Sequence, residues 1–153
     1  MENWKINKIF YYEVNGVKFY NKDEANDYSI KLFLTNEINK LMKKSSVYKN
    51  YSTYVSDKDY KTIIVHIYKE PFVDTWNVGH YGCKGEEVNR SKTEEYTTIK
   101  DYCKRFKPLI EKLFTITDSI DIENLSFIQN EETVEKMVNY KKMVKDIKQY
   151  INF

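Results

Sequence analysis

The chain is short of residues that punctuate, cross-link or span. Its 153 residues include 4 glycines and 2 prolines, which excludes collagen-like and Gly/Pro-rich disordered classes. The 2 cysteines, Cys83 and Cys103, are too few for a disulfide framework and fit a reducing compartment. No apolar run approaches the ~20 residues that a membrane-crossing helix needs. The N-terminal "MENWKINKIFYYEV" is interrupted by charge where a secretion signal would be continuously apolar. Together these absences set a cytoplasmic expectation without membrane association. An excess of one charge sign is also lacking: 25 basic against 23 acidic residues give +2. That excludes the strongly basic make-up of a dedicated nucleic-acid binder and leaves only a local patch for one.

What the chain does carry is enough for one folded domain spanning 1–153. Apolar residues make up 41% and charged residues 31%, a composition that buries a core without staples. Tyrosine is abundant at 14, and its apolar ring with a polar tip suits core boundaries and binding surfaces. The accompanying wealth of Lys, Asn and Ile indicates an AT-rich coding sequence, which supplies tyrosine codons without any selection for binding.

Local patterns give an element order. Alternating apolar residues flank Asn15-Gly16 in "KIFYYEVNGVKFYN", and both turn residues tolerate the positive φ of a type I′ hairpin. Asn21 with Glu24 three residues on reads as a helix cap. The helix is predicted from about Lys22 to Lys44, with Ala25, Ile30, Phe33, Leu34, Ile38, Leu41 and Met42 as its buried stripe. A strand near Tyr48–Tyr54, a turn at Asp57–Asp59 and a central strand over Tyr60–Lys69 follow. Ser91 with Glu94 predicts a second cap, opening a helical pattern from Tyr96 to Leu113 that Pro108 should kink or split. A last helix is predicted from Glu131 to Ile151, acids first and lysines last as the macrodipole favours. Its stripe is Val134, Met137, Val138, Val144, Ile147 and Ile151. The expected class is α+β: a β-hairpin, a long helix, an antiparallel sheet of about four strands covered by helices, and C-terminal helices.

The opening "YYEVNGVKFYNKDEANDY" resembles that of many small uncharacterised proteins of phages and mobile elements of low-GC Gram-positive bacteria. The matching residues are Tyr12, Val14, Asn15, Gly16, Phe19, Glu24 and Ala25, about the first quarter of the chain. The resemblance implies a provenance, and with it the host-cell cytoplasm. Many such accessory proteins bind and block a host protein, so it also implies a bacterial, defence-related partner.

Chemistry-bearing residues concentrate in "VDTWNVGHYGCKGEEVNR", which holds three of the four glycines. Gly79, Gly82 and Gly85 match neither the dinucleotide fingerprint nor the P-loop. They either shape a turn or, with Arg90, form an anion-binding loop for a nucleotide. The aromatics and cations of the same segment, Trp76, His80, Tyr81 and Lys84, are the expected contacts for a partner protein, with Tyr48 and Tyr51 as the next choice. Lysines beside Tyr48, Tyr51 and Tyr54 also admit stacking on single-stranded nucleic acid, but strand alternation would split those rings between two faces.

His80 and Cys83, completed by His66 and Cys103, could form a tetrahedral metal set. Only one close pair is present where structural zinc sites usually show two. His66-Ile67-Tyr68 and His80-Tyr81-Gly82 lack the hydroxyl of the paired H-x-[ST] motifs of two-histidine phosphodiesterases. No nucleophile elbow or other recognisable catalytic motif appears. The leading expectation is a non-catalytic protein that binds and inhibits a host defence component, with no cofactor. A nucleotide-binding pocket or sponge at the glycine loop and a small metal-dependent enzyme are the alternatives. The heptad-like stripe of the last helix leaves a homodimer open.

Overall fold

A computed structural model describes residues 9–68, 72–73, 87–88, 91–124 and 130–151. The architecture is α+β. Strands β1 (Tyr12–Val14) and β2 (Val17–Phe19) form the expected hairpin, with Tyr12 opposite Phe19 and Val14 opposite Val17. Asn15 and Gly16 take φ of +50° and +79°, as the sequence demanded. No atom lies within 4 Å of a Cβ built on Gly16, so backbone handedness alone selects glycine there.

Helix α1 (Lys22–Lys43) starts where Asn21 Oδ1 accepts the backbone N–H groups of Asp23 at 2.8 Å and Glu24 at 3.4 Å. Asn21→Ala leaves both donors to water and is expected to destabilise the fold by about 1 kcal/mol in urea unfolding. An unchanged midpoint would show that the cap is immaterial.

Among the described residues the main sheet has three strands rather than about four: β3 (Tyr51–Val55), β4 (Ile63–Ile67) and β7 (Lys92–Tyr96), antiparallel in the order β3-β4-β7. A separate two-stranded pair, β5 (Phe72–Val73) with β6 (Glu87–Val88), lies between β4 and β7 in the chain. β4 is central, as expected. Its Ile63, Val65 and Ile67 are buried, whereas Ile64 and His66 on the other face are half-buried.

The segment read as a capped helix start is instead β7. Thr98, not Ser91, caps α2 (Ile99–Arg105), accepting the Asp101 N–H at 3.2 Å. Pro108 splits the pattern as expected: Phe106 breaks the helical run, and α3 (Lys107–Asp118) begins with proline in its first turn, where the missing N–H costs nothing. Helix α4 (Glu131–Lys148) opens on an Asn130 cap and ends three residues before the expected Ile151. No helix among the described residues is long and apolar enough to cross a membrane.

Helices α1 to α4 share one core with the inner face of the sheet. Leu34, Ile38 and Met42 of α1 meet Ile63 and Val65, Tyr102, Phe106 and Ile110, and Val144 and Ile147 of α4. The expected α4 stripe holds at Val144 and Ile147, which are buried, and at Val134 and Met137, which are half-buried. Val138 departs from it at 45% exposed, while Tyr140 packs on Phe33 and donates to Glu37 Oε2 at 3.2 Å. The β3 edge is closed by Asn39, whose amide donates to Thr53 O at 2.7 Å and accepts from Thr53 N at 2.9 Å. One side chain thus stands in for a neighbouring strand and blocks further pairing there.

Candidate functional site

Of the residues singled out from sequence, Trp76, Gly79, His80, Tyr81, Gly82, Cys83, Lys84, Gly85 and Arg90 lie outside the described residues. The ends of their segment are fixed nonetheless. β4 ends at Ile67, which stands opposite both Tyr51 of β3 and Lys92 of β7. The chain therefore leaves and rejoins the sheet at its Tyr51 end. Phe72 then pairs with Val88, which draws the two ends of the glycine segment together. Four residues separate β4 from β5 and three separate β6 from β7, so the β5–β6 pair is tethered within about 17 Å of that end of the sheet.

Tyr48 and Tyr51 are built into this end. The turn after α1 is set by Ser45, whose hydroxyl accepts the N–H groups of Val47 at 3.2 Å and Tyr48 at 3.3 Å. Tyr51 N then donates to Tyr48 O at 2.9 Å. β3 starts only at Tyr51, so strand alternation does not separate the two rings. They meet edge to face at 5.0 Å between centroids, and both rest on the buried Phe106 at 6.0 and 6.2 Å. Tyr54 is exposed on the opposite sheet face. The pair is a half-buried aromatic corner, not a row of parallel stacking platforms.

An ionic cluster adjoins that corner, and the sequence reading missed it. Arg105 holds its guanidinium 4.9 Å from the Phe106 ring centroid and 5.9 Å from that of Tyr51. Its Nε donates to Glu94 Oε1 at 3.0 Å, Tyr96 Oη donates to the same oxygen at 2.6 Å, and Lys92 Nζ lies 3.5 Å from Glu94 Oε2. Burial pushes the Glu94 carboxyl up, but the hydrogen bonds from Tyr96 and Arg105 and both cations outweigh it and leave the acid below its usual range. Burial and the Glu94 bond push Tyr96 up to about 12. The cluster holds Arg105 against one carboxylate with the exposed Lys92 beside it, net positive by one, on an aromatic floor.

Of the four residues weighed as a metal set, the two described ones, His66 and Cys103, are not brought together. His66 lies on the outer sheet face with Nδ1 3.4 Å from Thr93 Oγ1, whereas Cys103 is in the core on the other side of the sheet. Burial pushes the Cys103 thiol up to about 12, which removes the thiolate that ligation or nucleophilic attack requires. Among the described residues no group of three or more His, Cys, Asp or Glu could hold a metal ion.

The opposite end of the sheet carries a cavity of about 630 Å³, at the start of α1 and the β7–α2 turn. Lys31 forms part of its wall. The side chain is 3% exposed, and Nζ meets Asp27 Oδ2 at 2.7 Å, Lys61 O at 2.7 Å and Thr97 O at 2.9 Å. Those three acceptors match its three protons. Asp59 accepts from Thr62 and Lys61, and these bonds, led by the Thr62 hydroxyl, hold its carboxyl at about 2. Lys61, Thr62, Lys100 and Tyr150 line it too, with the carboxylates of Asp23, Glu24 and Asp27, so its acids outnumber its lysines by one. The volume suits a small organic ligand.

The sequence matches no protein-family model, no curated protein and no solved structure.

Proposed function

We propose that this chain is a non-catalytic binding protein of phage or mobile-element origin that binds and inhibits a bacterial host defence component. Its contact surface is the Tyr51 end of the sheet, with Trp76, His80, Tyr81 and Lys84 as further contacts. The observation that carries the reading is the aromatic corner: Tyr48 and Tyr51 over Phe106, with Arg105 locked beside them by Glu94. Tyr, Trp and Arg supply most interface hot spots. Rings and guanidinium already held in place lose little entropy on binding.

The test is capture of the partner from host lysate, its identification, and calorimetry with purified components. Tyr48→Ala and Arg105→Ala are each expected to weaken binding by about 30-fold, the effect of a ~2 kcal/mol hot spot. The double variant Trp76→Ala plus Tyr81→Ala is expected to abolish binding with little change in melting temperature. Wild-type affinity in all three would end the proposal.

A second reading rests on the cavity. Its lining sets four carboxylates, Asp23, Glu24, Asp27 and Asp59, against three lysines, of which Lys31 is tied to Asp27 and Lys61 to Glu24. With the Thr hydroxyls and the Tyr150 ring it suits a small polar ligand that presents a cation. Such a ligand at 100 times its dissociation constant would stabilise the fold by about 2.7 kcal/mol, which a thermal-shift screen of small cationic compounds detects. No shift at millimolar ligand rejects this reading.

A further inference from the structure

The N-terminal hairpin leaves a surface uncovered. Phe19 packs on Tyr28 with centroids 5.3 Å apart, and Val14 and Val17 join that cluster, which fixes the hairpin to α1 through one face. The rest is bare: Phe10 is 78% exposed, Tyr20 71%, and Ile9, Tyr11 and Tyr12 are also exposed. Five of the large apolar side chains exposed among the described residues therefore lie on this one small element, a density that marks an interaction surface.

The edge of β1 is open as well. In a two-residue hairpin the pair flanking the turn, Val14 and Val17, is hydrogen-bonded, and bonded pairs alternate with non-bonded ones. Tyr12 N–H and C=O then face β2, whereas those of Tyr11 and Glu13 face outward. No bond to Tyr11 or Glu13 backbone from outside the hairpin occurs among the described residues. The main sheet contrasts with this, because Asn39 closes the β3 edge.

We infer that this edge pairs with the same edge of a second copy of the chain, β1 against β1 in antiparallel register about a two-fold axis at Tyr12. The register follows from the backbone and the charges. Centring on Tyr12 sets the outward groups of Tyr11 opposite those of Glu13 from the other chain, twice over by symmetry. It also brings Glu13 against a partner ring that already carries a cation, since Lys18 Nζ sits 4.7 Å above the Tyr11 centroid. The two Tyr12 rings meet at the axis, and Phe10 meets Val14. Pairing through β2 centred on Lys18 would instead oppose two lysines, which is unfavourable. Opposite charges on one outward face make the β1 edge self-complementary.

Sedimentation equilibrium and site-specific cross-linking of the full chain test this. Wild type is expected to be a dimer at tens of micromolar, and Tyr12→Lys to weaken dimerisation at least tenfold while circular dichroism stays unchanged. In a Cys83→Ser background, Tyr12→Cys should cross-link to itself under mild oxidation, because non-bonded antiparallel pairs place Cα atoms about 4.5 Å apart, within disulfide reach. Glu13→Cys should cross-link poorly alone but well when mixed with Tyr11→Cys. A monomer at 200 micromolar would overturn the inference. So would a dimer that survives Tyr12→Lys and leaves Tyr12→Cys reduced, which would locate the contact elsewhere, for instance along α4.

Discussion

Phe106→Ala is expected to lower the free energy of unfolding by about 3–5 kcal/mol, the usual cost of removing a fully buried aromatic ring. The ring has no exposed surface, and the rings of Tyr48, Tyr51, Tyr96 and Tyr102 all lie within 6.4 Å of it between centroids. Little around it can collapse to fill the space, since its neighbours are themselves large, pinned rings. A loss of that size is a large fraction of the 5–15 kcal/mol that holds an ordinary domain folded. Urea unfolding measures it directly. The same substitution removes the floor beneath Tyr48, Tyr51 and Arg105, so partner affinity should fall with it. Leu113→Ala is the control, being buried in the same core but away from the aromatic corner. It should cost about 2–5 kcal/mol and leave affinity intact at a temperature where both variants are folded. Equal losses of affinity in the two variants would mean that binding reports global stability and not this corner.

Residues whose chemistry is local were legible from the sequence. Asn15-Gly16 needed positive φ, Asn21 needed a helix to cap, and Ile63, Val65 and Ile67 needed an apolar face; each is found so. Pro108 ended one helix and opened another for the same reason. What stayed hidden is what only a distant partner explains. "KTEEY" at Lys92–Tyr96 has no apolar alternation, because its inner face is Lys92, Glu94 and Tyr96, and Glu94 is acceptable there only through Arg105 and Tyr96. Ser91-x-x-Glu94 and Thr98-x-x-Asp101 carry the same capping signal. Pairing of β7 with β4 decides between them, and nothing local does.

The candidate site divides along the same line. Tyr48 and Tyr51 were visible as residue types, but their meeting depends on a turn set by Ser45. Arg105 was invisible because its partner sat in a segment read as a cap. In α4, the apolar spacing found the buried face at Val144 and Ile147 but missed that Val138 points away from it and that Tyr140 packs there. Tyr140 is drawn inward by Glu37 and Phe33, partners that the local pattern does not show.

Lys31→Met should be the most informative change at the other end of the sheet, with an expected cost of about 3 kcal/mol. Methionine keeps most of the buried stem, so the loss isolates the ammonium. Removing that group strands the carbonyls of Lys61 and Thr97, each at about 1–3 kcal/mol when left without a donor. Asp27 adds less, because its side chain is 38% exposed and water takes over much of its solvation. For a chain of this length the deficit corresponds to a melting temperature lowered by roughly 6–12 °C. Asp27→Asn separates the contributions: it removes only the screened ion pair and should cost about 1 kcal/mol or less. Equal losses in Asp27→Asn and Lys31→Met would place the stabilisation in the ion pair instead of the carbonyl bonds, because Lys31→Met removes both. Because Lys31 ties the entry to β4 and the β7–α2 turn onto α1, Lys31→Met should also speed amide exchange around Lys61 and Thr97. If the cavity is a ligand site, its walls should loosen with that tie, and ligand affinity should then fall further in Lys31→Met than in Asp27→Asn.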